Sequence, residues 1–158
     1  MVITPDNPSF KHFDRARYER EAKDPREVYA EFGPLIRKHR SVFHNGLGFD
    51  SHIEGVWRRE IGLKPDYDWL YTPGCLDTNC LSKAYKAQWT PDISSPEAFL
   101  AWQYAAATTR LAKGVKTKLG VMCAEFGIEY DSAKAHGAQY DIERNVMLMR
   151  ELAFKVEI

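Results

Sequence analysis

The ten residues from Ser41 to Asp50 read SVFHNGLGFD. Ser41–His44 is short, with Val42 and Phe43 at its centre, and fits a strand. Asn45–Gly48 carries Gly46 and Gly48 and fits a turn. From Asp50 onward the apolar residues Ile53, Val56, Trp57 and Ile61 recur at helical spacing. A carboxylate is thereby set just past a strand end and at a helix N-terminus. Two readings follow. Aspartate is a favoured helix cap. Open α/β sheets also gather their ligands at the carboxyl ends of strands, where Asp50 would stand.

The 158 residues suit one domain, and at 44% hydrophobic the chain has enough apolar material for a core. The formal net charge is zero, so any surface for a polyanion must be local. Cys75, Cys80 and Cys123 form neither a CxxC pair nor a zinc spacing. Their odd number, with no signal peptide, is the pattern of free thiols used for packing in a reducing compartment, so the expectation is cytoplasmic. No apolar run reaches transmembrane length, and no internal repeat is present.

Outward from the quoted stretch, Met1–Thr4 is β-prone and Pro5–Ser9 is turn-rich. Phe10–Lys23 alternates in charge; it is either a solvated helix or an irregular segment, and we read it as a surface segment with Phe10, Phe13 and Tyr18 turned inward. Asp24-Pro25-Arg26-Glu27 opens a helix with the stripe Val28, Tyr29, Phe32, Leu35 and Ile36, kinked or ended at Gly33-Pro34. Arg37–Arg40 favours that helix's negative end, or binds phosphate.

The helix from Asp50 should stop near Gly62. Tyr67, Trp69 and Tyr71 alternate as an edge strand would, and Cys75–Thr78 reads as a second short strand. Helices are predicted over Asn79–Gln88, from Ser95 to about Lys113, over Leu119–Phe126 up to Gly127, and from about Gly137 to Lys155. The last has the apolar face Ile142, Val146, Met149, Leu152 and Ala153, with Asp141 bordering it. Lys113–Lys118 is basic, and is either a solvated loop or a substrate-facing one.

The segment LGVMCAEFGIEYDSAKAHGAQYDIERNVMLMREL resembles the third motif of the DEDDh 3′–5′ exonucleases, the proofreading group of the ribonuclease H-like fold. That pattern is a short helix ending in glycine, a loop, a histidine, four residues and an aspartate, here His136 and Asp141. FHNGLGFD is similar to the second motif, with Asp50 as its acid; Cys75–Thr78 is similar to the strand that follows it, and Asp24–His39 to the helix that precedes it. The resemblance shifts Asp50 from cap to ligand. It implies an α/β, ribonuclease H-like exonuclease fold, a mixed sheet flanked by helices, as one domain over 1–158, with 1–23 atypical and 24–158 family-like. It also implies metal-dependent hydrolysis at nucleic-acid 3′ ends, probed as single strands, with Mg2+ or Mn2+ on Asp50 and Asp141. His136 would be the general base, and His44, Asn45 and Phe49 would lie at the substrate.

One departure stands out. The family's first motif is Asp-x-Glu on an opening strand, and none precedes Asp50; the only such triplet is Asp141-Ile142-Glu143. The chain therefore reads as a nuclease domain beginning after its first catalytic strand, with an open sheet edge at Ser41–His44. Such an edge recruits strands, so a homodimer or a partner chain supplying the missing strands is expected. Two functions remain side by side: an exonuclease completed from elsewhere, or a catalytically inactive relative that binds nucleic acid or a partner protein.

Overall fold

The computed structural model describes residues 14–65 and 74–158. Among them are seven helices and two short strands, a mixed but mostly helical α/β arrangement. In chain order they are α1 (Arg15–Glu21), α2 (Pro25–Lys38), β1 (Val42–Phe43), α3 (Asp50–Glu60), β2 (Leu76–Asp77), α4 (Thr78–Ala87), α5 (Pro96–Thr108), α6 (Leu119–Glu125) and α7 (Ala138–Val156). No helix among the described residues is long and apolar enough to cross a membrane.

β1 and β2 run parallel, with Val42 opposite Leu76 and Phe43 opposite Asp77. With α3 between them they form a β-α-β unit. Two residues per strand cannot hold a sheet alone. The pair is stabilised by α4, which grows directly from β2 and is the most buried helix: Thr78, Cys80, Leu81, Ser82 and Ala84 are all inaccessible. Leu81 meets Met122 of α6 and Leu148 and Leu152 of α7 in the core, and Leu76, Phe99, Trp102 and Phe126 close around them. The three cysteines are buried and none is in a disulfide among the described residues. Burial pushes the Cys75 thiol up to about 11 and raises Cys80 and Cys123 as well, so all three are packing groups, as expected.

The outer edge of β2 is closed by a side chain. Gln103 of α5, fully buried, accepts from Asp77 N at 2.7 Å and donates to Cys75 O at 3.0 Å, as a neighbouring strand would. No strand pairs with the other edge of β1 among the described residues, and Val42 there is exposed.

Several expectations need correction. Arg15–Glu21 is helical, capped by Asp14 on Arg17 N and carrying the i,i+4 pairs Arg15–Glu19 and Arg17–Glu21. None of it is buried and Tyr18 points outward; Phe10 and Phe13 lie outside the described residues. Pro34 does not end α2, which runs on to Lys38 with backbone bonding resumed at His39 N–Leu35 O. The proposed edge strand at Tyr67–Tyr71 lies outside the described residues. α5 stops at Thr108 rather than near Lys113, because Thr109 is extended and the hydroxyls of Thr108 and Thr109 bond back to the last-turn carbonyls.

The largest correction concerns α3. Its buried face is Ser51, Glu54 and Gly55, while Ile53 and Val56 are exposed. The polar face turns inward because Tyr29 of α2 donates its phenol to buried Glu54 and receives Arg58 Nη1 at 2.7 Å. Tyr29 and Phe32 also pack on Trp57 at 5.1 and 5.6 Å between ring centres. A count of apolar spacings cannot register a polar network of this kind. The face of α7 is likewise rotated: Asn145, Leu148 and Leu152 are buried and Ile142 is exposed. Asp141 stands one turn before Asn145, in line with that buried stripe.

Candidate functional site

Both parallel strands end on the same side of the sheet, where β1 leads through a turn to α3 and β2 runs directly into α4. After β1 the chain turns through Asn45, whose φ of +72° is the left-handed conformation asparagine tolerates. Gly46 follows where a Cβ would overlap the Phe43 ring. This turn is held by Asp77, which is 1% exposed. Asp77 Oδ1 accepts from Asn45 N at 2.8 Å and from Asn79 N at 2.9 Å, and Oδ2 accepts from Leu47 N at 3.2 Å. Asp77 thus caps α4 and clamps the turn that leads to Asp50. The sequence placed Asp77 only within the short strand Cys75–Thr78; the three bonds it accepts are seen in the structure.

Asp50 is the first residue of α3, and Phe49 holds the cap position without a side-chain cap bond. The capping reading of Asp50 therefore does not describe it. Its carboxyl is half-buried, and burial raises its pKa above the ordinary value, with the charge of Asp77 adding to the rise. Phe49, proposed at the substrate, is 59% exposed, while Ser51 two residues on is buried.

His44 occupies the middle of the arrangement. One ring nitrogen, Nδ1, is 2.9 Å from Thr78 Oγ1, and Nε2 is 2.9 Å from Thr117 O. A carbonyl can only accept, so Nε2 carries the proton and donates to Thr117 O. Burial lowers the His44 pKa, opposed by the charges of Asp77 and Asp141 and by the Thr117 bond. Thr78 Oγ1 also lies 2.8 Å from Phe43 O and 2.5 Å from Asn145 Oδ1. The His44–Thr78–Asn145 chain thereby joins the end of β1 to α4 and α7, one helical turn from Asp141. Both nitrogens of His44 are engaged, so its ring holds the site together and is not presented to a substrate. Asn45 is exposed, with its side-chain oxygen 3.4 Å from Asn79 Nδ2.

Asp141 and His136 come together through the backbone. His136 sits at φ +68° just before α7, and its N–H donates to Asp141 Oδ2 at 3.1 Å, while its ring is exposed. Tyr130 donates its phenol to Asp141 Oδ1 at 3.2 Å. Burial, then the neighbouring Asp141 charge, pushes the Tyr130 hydroxyl up to about 12. Gly120 makes room for this ring, since a Cβ there would lie 2.6 Å from Tyr130 Cε1. Tyr140 anchors the loop before α7: its hydroxyl accepts from Asp131 N at 2.5 Å, and Arg144 lies 4.6 Å over its ring.

Asp77 thus acts on Asp50, and both Asp77 and Asp141 act on His44. No group of three or more His, Cys, Asp or Glu side chains able to hold a metal is found among the described residues. Sequence reasoning missed Tyr130, Gln103, Thr78 and Asn145. Their roles depend on contacts across 11 to 67 residues, and no local pattern marks them. Compared with protein-family models, curated proteins and solved structures, the chain finds no match in any of the three.

Proposed function

We propose that this chain is a metal-dependent 3′–5′ exonuclease domain of the DEDDh type, on a ribonuclease H-like arrangement, acting on single-stranded nucleic acid with a free 3′ end. The observation that carries the reading is the placement of Asp50 and Asp141. Each is in the first turn of its helix, and His44 at the end of β1 is under the charge of Asp141. Asp77 clamps the approach to one, and Tyr130 and His136 N orient the other. Asp141 keeps lone pairs open on both oxygens beyond these bonds.

Two carboxylates suit one hydrated ion rather than a pair. Magnesium is commonly held by one or two carboxylates, with waters and substrate phosphate completing six oxygens, and Asp50 and Asp141 would be those carboxylates. Mg2+ or Mn2+, when bound, supplies an acidified water and neutralises charge on the phosphoryl oxygens. A second ion needs acids from beyond the described residues, or from another chain docked on the β1 edge. The His136 ring, exposed and free of the backbone bond that fixes its residue, takes the proton from the attacking water.

Mg2+ or Mn2+ is expected to support trimming of end-labelled single strands from the 3′ end, with Asp141→Asn reducing it by at least 100-fold. Trimming that persists in both Asp50→Asn and Asp141→Asn rejects the reading. That no Asp-x-Glu precedes Asp50 in the sequence favours a second reading, a non-catalytic domain that binds nucleic acid or a partner protein. Chelator-insensitive binding without trimming is its outcome.

Tyr130 supplies a further prediction. Ligand-orienting groups outside the metal's own contacts are worth about 10–100-fold in metal affinity or activity. Tyr130→Phe should therefore raise the Mn2+ concentration for half-maximal trimming by that order. Gly120→Ala, which displaces the same ring, should follow it; unchanged metal titrations in both variants remove Tyr130 from the site.

A further inference from the structure

The longest stretch of the chain without an acidic residue is 98–124, and all four of its cations, Arg110, Lys113, Lys116 and Lys118, fall between Thr109 and Lys118. All four are exposed, and none is in an ion pair among the described residues. In a chain of zero net charge this is a concentrated local field.

The segment is fixed at both ends. At its start the Lys83 ammonium donates to Ala106 O, Ala107 O and Thr109 O at 2.8, 2.7 and 3.0 Å, gripping the end of α5. At its finish the His44 ring holds Thr117 O, and Lys118 O accepts from Met122 N to start α6. Between the anchors Gly114 turns at φ +95°, with Val115 N bonded to Ala112 O. The same His44 is under the charges of Asp77 and Asp141. The cationic segment therefore ends one hydrogen bond from the centre of the acidic site.

We propose that Thr109–Lys118 is a backbone track for single-stranded nucleic acid, its lysines contacting consecutive phosphates and its register against the acidic site set by the His44–Thr117 bond. The proposal deepens the reading above and rests on its nucleic-acid side, not on catalysis. Carboxylates that receive a phosphodiester repel the neighbouring phosphates, and fixed cations beside them offset this. Because the segment is pinned before the ligand arrives, little ordering entropy opposes binding.

The test uses the full chain with EDTA present and fluorescent oligothymidylate and oligouridylate as probes. Affinity is followed from low to moderate salt. Removing three phosphate contacts from a single strand should make the slope of log K against log salt shallower by about 2 and weaken low-salt binding by roughly tenfold or more. This is expected of the Lys113→Ala, Lys116→Ala, Lys118→Ala triple variant. The control triple Arg15→Ala, Arg17→Ala, Arg20→Ala changes net charge equally and should keep the wild-type slope.

Equal slopes for wild type and the lysine triple overturn the track, and equal losses in the two triples reduce it to net charge. Binding that needs the lysines without any trimming keeps the track and ends the nuclease reading. Trimming with lysine-independent binding does the reverse. No binding of either probe by the wild-type chain overturns both.

Discussion

Asp77→Ala is expected to cost about 3 kcal/mol or more of folding stability, read as a fall in the urea midpoint at unchanged m-value. Three backbone N–H groups converge on this one carboxylate, two from the turn after β1 and one from the first turn of α4. At 1% exposure no bulk water reaches the site to replace it. Each buried donor left without a partner costs about 1–3 kcal/mol, and relaxation of the turn recovers part of that.

A smaller term acts the other way, because removing the Asp77 charge relieves Asp50. That charge acts on a half-buried group and cannot offset three orphaned donors. Asp77→Asn separates the two effects. It keeps one acceptor oxygen, turns an N–H toward a donor, and removes the charge. It should cost less than alanine while lowering the Asp50 pKa toward the ordinary carboxylate range. A midpoint for Asp77→Ala close to wild type would mean that the turn is not held by this side chain.

The order of elements was largely legible because local signals mark it. Asp24-Pro25 and Ser95-Pro96 begin helices as capping chemistry requires, and both cap side chains bond to backbone N–H groups. Gly62 and Gly127, both at positive φ, follow the ends of α3 and α6. What failed was rotation about helix axes. Ile53 and Val56 on α3 and Ile142 on α7 carry the apolar period yet face outward. In each case a polar residue at the neighbouring register, Glu54 or Asn145, has a partner from a distant helix.

The site divides in the same way. Asp50, Asp141 and His136 could be singled out because they sit at element boundaries with recognisable flanks, and the structure places them at those boundaries. Tyr130 could not be, because nothing at its own position announces an aspartate eleven residues away. Gly120 was passed over for the same reason. Its missing Cβ matters only once the Tyr130 ring is laid across it. Asp77 was legible as a strand-end residue, but the three donors it gathers come from a turn over thirty residues upstream as well as from its own helix.

Asp50→Asn should move activity and stability in opposite directions. Trimming should fall by at least 100-fold, while the chelated protein should melt a few degrees above wild type. The stability half follows from the sign of the pKa change. Burial first, and Asp77 second, raise the Asp50 carboxyl above its ordinary value in the folded chain, with its own backbone N–H opposing them. A raised folded pKa means that the fold prefers the protonated group. The stability this lends is complete below the unfolded pKa of about 3.9 and is lost as pH rises through the folded value. Near neutral pH the ionised carboxylate is therefore a net strain on the fold.

The start of α3 favours a negative charge by about 0.3–1 kcal/mol, which pulls the other way. Burial is the largest cause of the upward shift, and the variant is expected to show that it outweighs this. Asparagine removes the strain permanently and a bound divalent cation removes it reversibly. Added Mn2+ should accordingly raise the wild-type melting temperature toward that of Asp50→Asn, by ligand linkage, and leave the variant nearly unmoved. The gap between the two chelated proteins should be absent below the ordinary carboxylate range, open as pH rises through the raised pKa, and stay constant above it. If Asp50→Asn melts below wild type in chelator at neutral pH, Asp50 serves its helix as a favourable terminal charge, and the metal assignment loses its first ligand.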